Sequence, residues 1–215
     1  MTHAITVHTP ADPPRRLVLM FHGVGASPTD LVPLGQALAD VMADALIISI
    51  QSPQPSGMGS GWEWFSVLGI TESNRVPRVA QAMPSFTATV RHWQLLAQVD
   101  AANTVLIGFS QGAIMVLEAT QSQPGLAGKA IALAGRFALQ PQRSPAPTSV
   151  HLLHGGADPV MPVGLSEAAF AQLTAMGASV TLQRFEGLGH GIDHRVIDAV
   201  RQHVQHPRSA TSGNQ

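Results

Sequence analysis

Residues 104–112, TVLIGFSQG, restrict the architecture of this 215-residue chain more than any other stretch. Residues 104–109 form a short apolar run of strand length, and residues 112–121 carry a helical pattern. Between them lie Gly108, Phe109, Ser110, Gln111 and Gly112. A chain that passes this sharply from strand to helix needs glycine on both sides of the turn, because a side chain at 108 or 112 would meet neighbouring backbone. The serine at the apex must take a strained conformation. The following helix then turns its positive end toward any negative charge that develops there. Taken alone, the pentapeptide also fits a glycine-rich turn whose serine merely caps a helix. The rest of the sequence separates the two readings.

The same alternation runs along the chain. Residues 17–21, 45–50, 104–109, 129–134, 150–154 and 180–185 read as strands. Residues 30–42, 79–99, 112–121, 165–176 and 192–204 read as helices, with Thr29 or Asp30 capping the first. Pro84 is expected near the start of the second helix or as a kink in it. Residues 5–9 alternate and suit an antiparallel edge strand. Strands alternating with helices predict an α/β fold: a mostly parallel sheet with helices on both faces. The expected domain covers residues 1–206, followed by a flexible polar tail over 207–215.

In such sheets chemistry gathers at the carboxyl ends of the strands. Two further strand ends carry reactive groups. Residues 154–159 read HGGADP, and residues 186–191 read EGLGHG. The order is therefore Ser110, Asp158, His190, each separated by one or two strand–helix repeats. A serine hydroxyl is a weak nucleophile until a base takes its proton. His190 is the expected base, and Asp158 the group that holds its tautomer and stabilises the imidazolium. Asp193 is the rival acid, though it suits the start of the last helix better. His194 is the rival base, less mobile within that helix. An oxyanion needs N–H donors. The N–H of Gln111, next after the serine, and that of Val24, in the loop over residues 22–25 (HGVG), are the candidates.

Composition removes competing chemistries. With no Cys and no Tyr there is no thiol nucleophile, disulfide, thiolate-bound metal or phenolic acid. Twelve basic against thirteen acidic residues leave a net charge of −1, and Lys129 is the lone lysine, so no basic field for nucleic acid exists. Charged residues make up 12% of the chain, which favours a neutral, modestly apolar substrate over a highly charged one. Gly23-Val24-Gly25 lacks the third glycine of a dinucleotide loop, since Pro28 stands there. Residues 125–129 (GLAGK) do not have Walker spacing. Ten histidines invite a metal reading, but His190 with His194 and His203 with His206 form no recognised ligand pattern. No cofactor and no metal are expected. Neither a signal peptide nor a membrane span is read from the sequence, so a cytoplasmic setting is expected. The oligomeric state stays open, a homodimer included.

These motifs together resemble the phospholipase/carboxylesterase family of α/β-hydrolases. The resemblance rests on residues 21–25 (FHGVG), 64–67 (WFSV), 69–72 (GITE), 107–115 (IGFSQGAIM), 154–156 (HGG), 158–160 (DPV) and 189–190 (GH), spanning about 20–195. It implies a compact hydrolase without a large cap, cleaving short- to medium-chain carboxylic esters through an acyl-enzyme. It assigns nucleophile, acid and base roles to Ser110, Asp158 and His190, and oxyanion donors to Val24 and Gln111. The segment 51–64 departs from the thioesterase-type loop, so protein deacylation does not carry over. A thioesterase or lysophospholipase with the same triad is the alternative enzyme. A catalytically silent binding protein is the alternative of another class. Met58, Trp62, Trp64, Phe65 and Met161 are the candidates for an acyl pocket. Trp64 and Phe65 equally suit a role as anchors of their loop.

Overall fold

The computed structural model describes residues 3–205, so the expected tail at 207–215 lies outside the described residues. Seven strands form one sheet in the order β1 (Ala4–His8), β3 (Ala45–Ile50), β2 (Arg16–Phe21), β6 (Thr104–Phe109), β7 (Lys129–Leu133), β8 (Ser149–Gly155) and β9 (Val180–Phe185). Only β1 is antiparallel, pairing along the edge with β3. A separate two-residue ribbon, β4 (Gln54–Pro55) with β5 (Trp62–Glu63), escaped the sequence reading because strands this short carry no periodicity.

Alternation within the strands divides the core. Leu17, Leu19 and Phe21 of β2 face one side, where α2 (Glu72–Ala97), α3 (Gln111–Ser122) and α4 (Gly164–Ala175) pack. Val18 and Met20 face the other, under α1 (Val32–Ala39) and α5 (His194–Gln205). Helix α3 is buried around almost its whole circumference, which places the residue before it at the centre of the molecule. No described helix is long and apolar enough to cross a membrane.

Three helix starts differ by two residues or more from the sequence reading, each for a local reason. The second helix starts at Glu72, not 79, because Thr71 forms a capping box: its N–H donates to Asn74 Oδ1 at 2.8 Å while its hydroxyl accepts from the Asn74 N–H at 3.3 Å. Pro84 therefore stands inside a 26-residue helix and not at its start. The first helix is split: a 3₁₀ turn, Pro28–Leu31, precedes α1. Its cap is Ser27, whose N–H donates to Asp30 Oδ2 at 2.7 Å, and Pro28 follows as a natural first helical residue. The last helix starts at His194, since Asp193 Oδ1 accepts from the Val196 N–H and so caps it.

Candidate active site

Ser110 sits between β6 and α3 with φ 53° and ψ −114°. A non-glycine residue in such a region stores roughly 1–3 kcal/mol of strain. The flanking glycines make the turn possible. A Cβ on Gly108 would lie 2.4 Å from the Gly112 backbone, and one on Gly112 would lie 2.0 Å from the Phe21 carbonyl oxygen on β2. The Ser110 N–H donates to the Leu133 carbonyl at 2.9 Å and ties the turn to β7.

From this position Ser110 Oγ lies 2.9 Å from His190 Nε2, and His190 Nδ1 lies 2.7 Å from Asp158 Oδ2. A carboxylate only accepts, so Nδ1 carries the hydrogen and Nε2 accepts from the serine hydroxyl. The three predicted residues thus form one hydrogen-bonded chain. The Phe109 ring packs against the His190 ring, with centroids 5.1 Å apart. Asp158 Oδ1 accepts from the N–H groups of Val160 at 2.8 Å and Met161 at 2.9 Å. Burial pushes the Asp158 carboxyl up, but hydrogen bonds from His190 and from those two backbone groups outweigh it. The carboxyl is held below its ordinary range and stays ionised.

The rivals are occupied elsewhere. Asp193 accepts from Arg195 Nε at 2.7 Å as well as capping α5, and His194 is the exposed first residue of that helix.

Both oxyanion candidates lie on structures that the Trp62–Phe65 segment braces. Gln111 opens α3, so no helical carbonyl reaches its N–H. Its side chain accepts from the Trp64 N–H at 2.8 Å and donates to the Phe65 carbonyl at 2.6 Å. Val24 lies in the turn after β2. There the Gly25 N–H donates to the Trp62 carbonyl, and the Trp62 N–H to the Ala26 carbonyl, both at 2.9 Å. The Trp64 indole N–H donates to the His22 carbonyl at 2.8 Å. His22 Nε2 accepts from the Ser52 N–H at 3.1 Å, and its Nδ1 donates to the Gly23 carbonyl at 2.7 Å. Burial lowers the His22 pKa and keeps the ring neutral.

The candidate pocket residues divide. Trp64 and Phe65 are 3% and 4% exposed and belong to the core, with Trp64 edge-on to Phe21 and Phe86. They also border a cavity of about 500 Å³ shared with Phe86 and Ala82, which likewise includes none of the triad or oxyanion candidates. Trp62 is half-buried and serves the site through its backbone. Met58 is 67% exposed. Met161 is half-buried and holds Asp158 through its N–H. A larger apolar cleft of about 760 Å³ between α2 and α3, lined by Val79, Met83 and Glu118 among others, includes none of the triad or oxyanion candidates.

Sequence reading set His151 and His154 apart from any cluster. Among the described residues no three potential metal ligands converge. His154, however, lies 3.3 Å from Asp158 Oδ2. The available signal was a histidine at a strand end four residues before the acid.

The phospholipase/carboxylesterase family profile matches residues 2–207. Esterase YpfH of Escherichia coli (strain K12) is 46% identical over 200 residues, covering 93% of this chain and 86% of that protein. Among solved structures, esterase PE8 superposes with a TM-score of 0.84 at 27% identity, covering 95% of this chain and 97% of that one. The Bacillus cereus carboxylesterase superposes with a TM-score of 0.81 at 20% identity, covering 95% and 93%, a likeness of fold. The fold is that of the α/β-hydrolases, and the chain belongs to the phospholipase/carboxylesterase family.

Proposed function

We propose that this protein is a serine carboxylesterase that cleaves short- to medium-chain esters through an acyl-enzyme on Ser110. The observation that carries the reading is the chain Ser110 Oγ–His190 Nε2–Asp158 Oδ2, with links of 2.9 and 2.7 Å. His190 takes the hydroxyl proton as Ser110 Oγ attacks the ester carbonyl carbon. The tetrahedral oxyanion is held by the N–H groups of Gln111 and Val24. His190 then passes the proton to the departing alkoxide, the C–O bond breaks, and the acyl group remains on Ser110. Water, deprotonated by the same imidazole, releases the acid and restores Ser110. Asp158, anionic and buried, keeps the Nδ1–H tautomer and balances the imidazolium formed in each half-reaction.

The name of the relative from Escherichia coli supports an ester substrate for this chain. The low charge content supports a neutral one. A cytoplasmic setting belongs to the same proposal, and cell fractionation tests it. The enzymatic test is a panel of acyl esters and thioesters of graded chain length, with Ser110→Ala as the blank. Ester turnover that disappears in Ser110→Ala is expected. Wild type inert on every ester, or Ser110→Ala fully active, overturns the reading. Preference for thioesters transfers the same mechanism to the alternative leaving group. A Trp64→Ala variant with unchanged chain-length preference removes Trp64 from the pocket.

A further inference from the structure

His154 is a buried titratable side chain for which the proposed reaction has no step. It lies near the end of β8 and is 1% exposed. Its two nitrogens have different surroundings. Nε2 faces only acceptors, the Met161 carbonyl at 2.7 Å and Asp158 Oδ2 at 3.3 Å, and therefore carries a hydrogen. Nδ1 lies 2.8 Å from Ser166 Oγ, in the first turn of α4, and that hydroxyl in turn lies 3.2 Å from the Gly135 carbonyl after β7. One imidazole thus ties together β8, the loop that follows it, α4 and the end of β7.

These contacts close a ring around the carboxylate. The N–H groups of Val160 and Met161 hold Asp158 Oδ1. The Met161 carbonyl returns to His154 Nε2–H on the strand, and that same N–H faces Oδ2. Oδ2 also accepts from His190 Nδ1. With Oδ1 held by the loop and the loop held by the strand, the carboxylate keeps the rotation that presents Oδ2 to His190. The Asp158 side chain is fully covered, so bulk water offers no ready substitute for a lost partner.

We propose that His154 is a positioning residue for hydrolysis: its Nε2–H fastens the Asp158 loop to β8 and so keeps the carboxylate aimed at His190. It touches neither the ester nor Ser110. The inference rests on the esterase reading with Ser110 as nucleophile.

Three replacements separate the two nitrogens. His154→Gln sets an amide N–H where Nε2 stands. His154→Asn reaches only the position of Nδ1, and His154→Leu supplies neither. Each is assayed with wild type on one short-chain ester, together with a thermal melt. In the Leu and Asn variants kcat is expected to fall about 10- to 100-fold while KM stays within about threefold, and Gln recovers most of the loss. A purely structural role lowers the melting temperature without dividing kcat according to which nitrogen is replaced. A folded Leu or Asn variant with wild-type kcat overturns the proposal, as does a Gln variant no faster than Asn. If the Leu variant does not fold, the Gln–Asn pair decides. A wild type without esterase activity, or an active Ser110→Ala, defeats the esterase reading itself and is a separate outcome.

Discussion

The two walls of the site are built by different means. On the nucleophile side, Ser110 is set by close approach of backbone to backbone: Gly108 against Gly112, and Gly112 against Phe21. On the acid–base side the loops also meet backbone to backbone, Gly155 against Leu188 and Gly189, but the reacting groups of Asp158 and His190 are set by side-chain hydrogen bonds. The difference predicts a sensitivity on the acid–base side that the nucleophile side lacks. The first wall is intolerant of added volume, because no rotamer relieves a 2.0 Å contact with a carbonyl oxygen. The second is also intolerant of a lost donor, because the Asp158 carboxylate is buried and ionised.

Mutations can break or sharpen this contrast. The largest expected effect is from Ser110→Ala, which should lower kcat/KM by roughly 10⁴- to 10⁶-fold with little change in melting temperature. Next comes Gly112→Ala. One methyl group on the nucleophile wall should cost more than about 100-fold in kcat, with a lowered melting temperature. If that variant is as fast and as stable as wild type, the close-approach account of this wall is wrong. A smaller effect is expected from Trp64→Phe, which keeps an aromatic ring but removes the donor to the His22 carbonyl. The loss should be about 1–3 kcal/mol in urea unfolding. No change there would mean that packing alone holds the Trp62–Phe65 segment.

The smallest effect is off both walls. Glu72, beside Arg75 and Arg136, has its carboxyl lowered from 4.5 to about 2 by hydrogen bonds from those guanidinium groups. A depressed folded pKa means that the stabilisation is present above the unfolded value of 4.5 and is lost as pH falls through about 2. The Glu72 side chain is 72% exposed, so screening limits the contribution to below about 1 kcal/mol. Glu72→Gln should therefore trail wild type slightly in urea midpoint at pH 7, and the gap should close in strong acid. A gap that widens in acid would contradict the sign.

The same contrast governs what was legible in the sequence. The nucleophile wall could be read because steric demands leave glycine little alternative, so Gly108, Ser110 and Gly112 announce themselves in five residues. The strands were legible for the kindred reason that burial on both faces demands unbroken apolar runs, as in β2, β3 and β6. His154 was not legible. A histidine in a strand is chemically the same whether it is half-buried at a sheet edge, as His8 on β1 is, or meets a buried carboxylate across a loop. Nor did sequence show that Trp62 works through its backbone or Trp64 through its indole N–H, since both depend on where distant carbonyls fall. Local capping at Thr71 outran the apolar period that had set the start of α2 at residue 79.

The central claim is that Ser110, activated by His190, is the nucleophile. Intact-mass and peptide-mapping analysis after fluorophosphonate treatment tests it most directly. The account predicts a single adduct on Ser110 in wild type and none in Ser110→Ala. A folded wild type that stays unlabelled, or an adduct mapped to another residue, would contradict it.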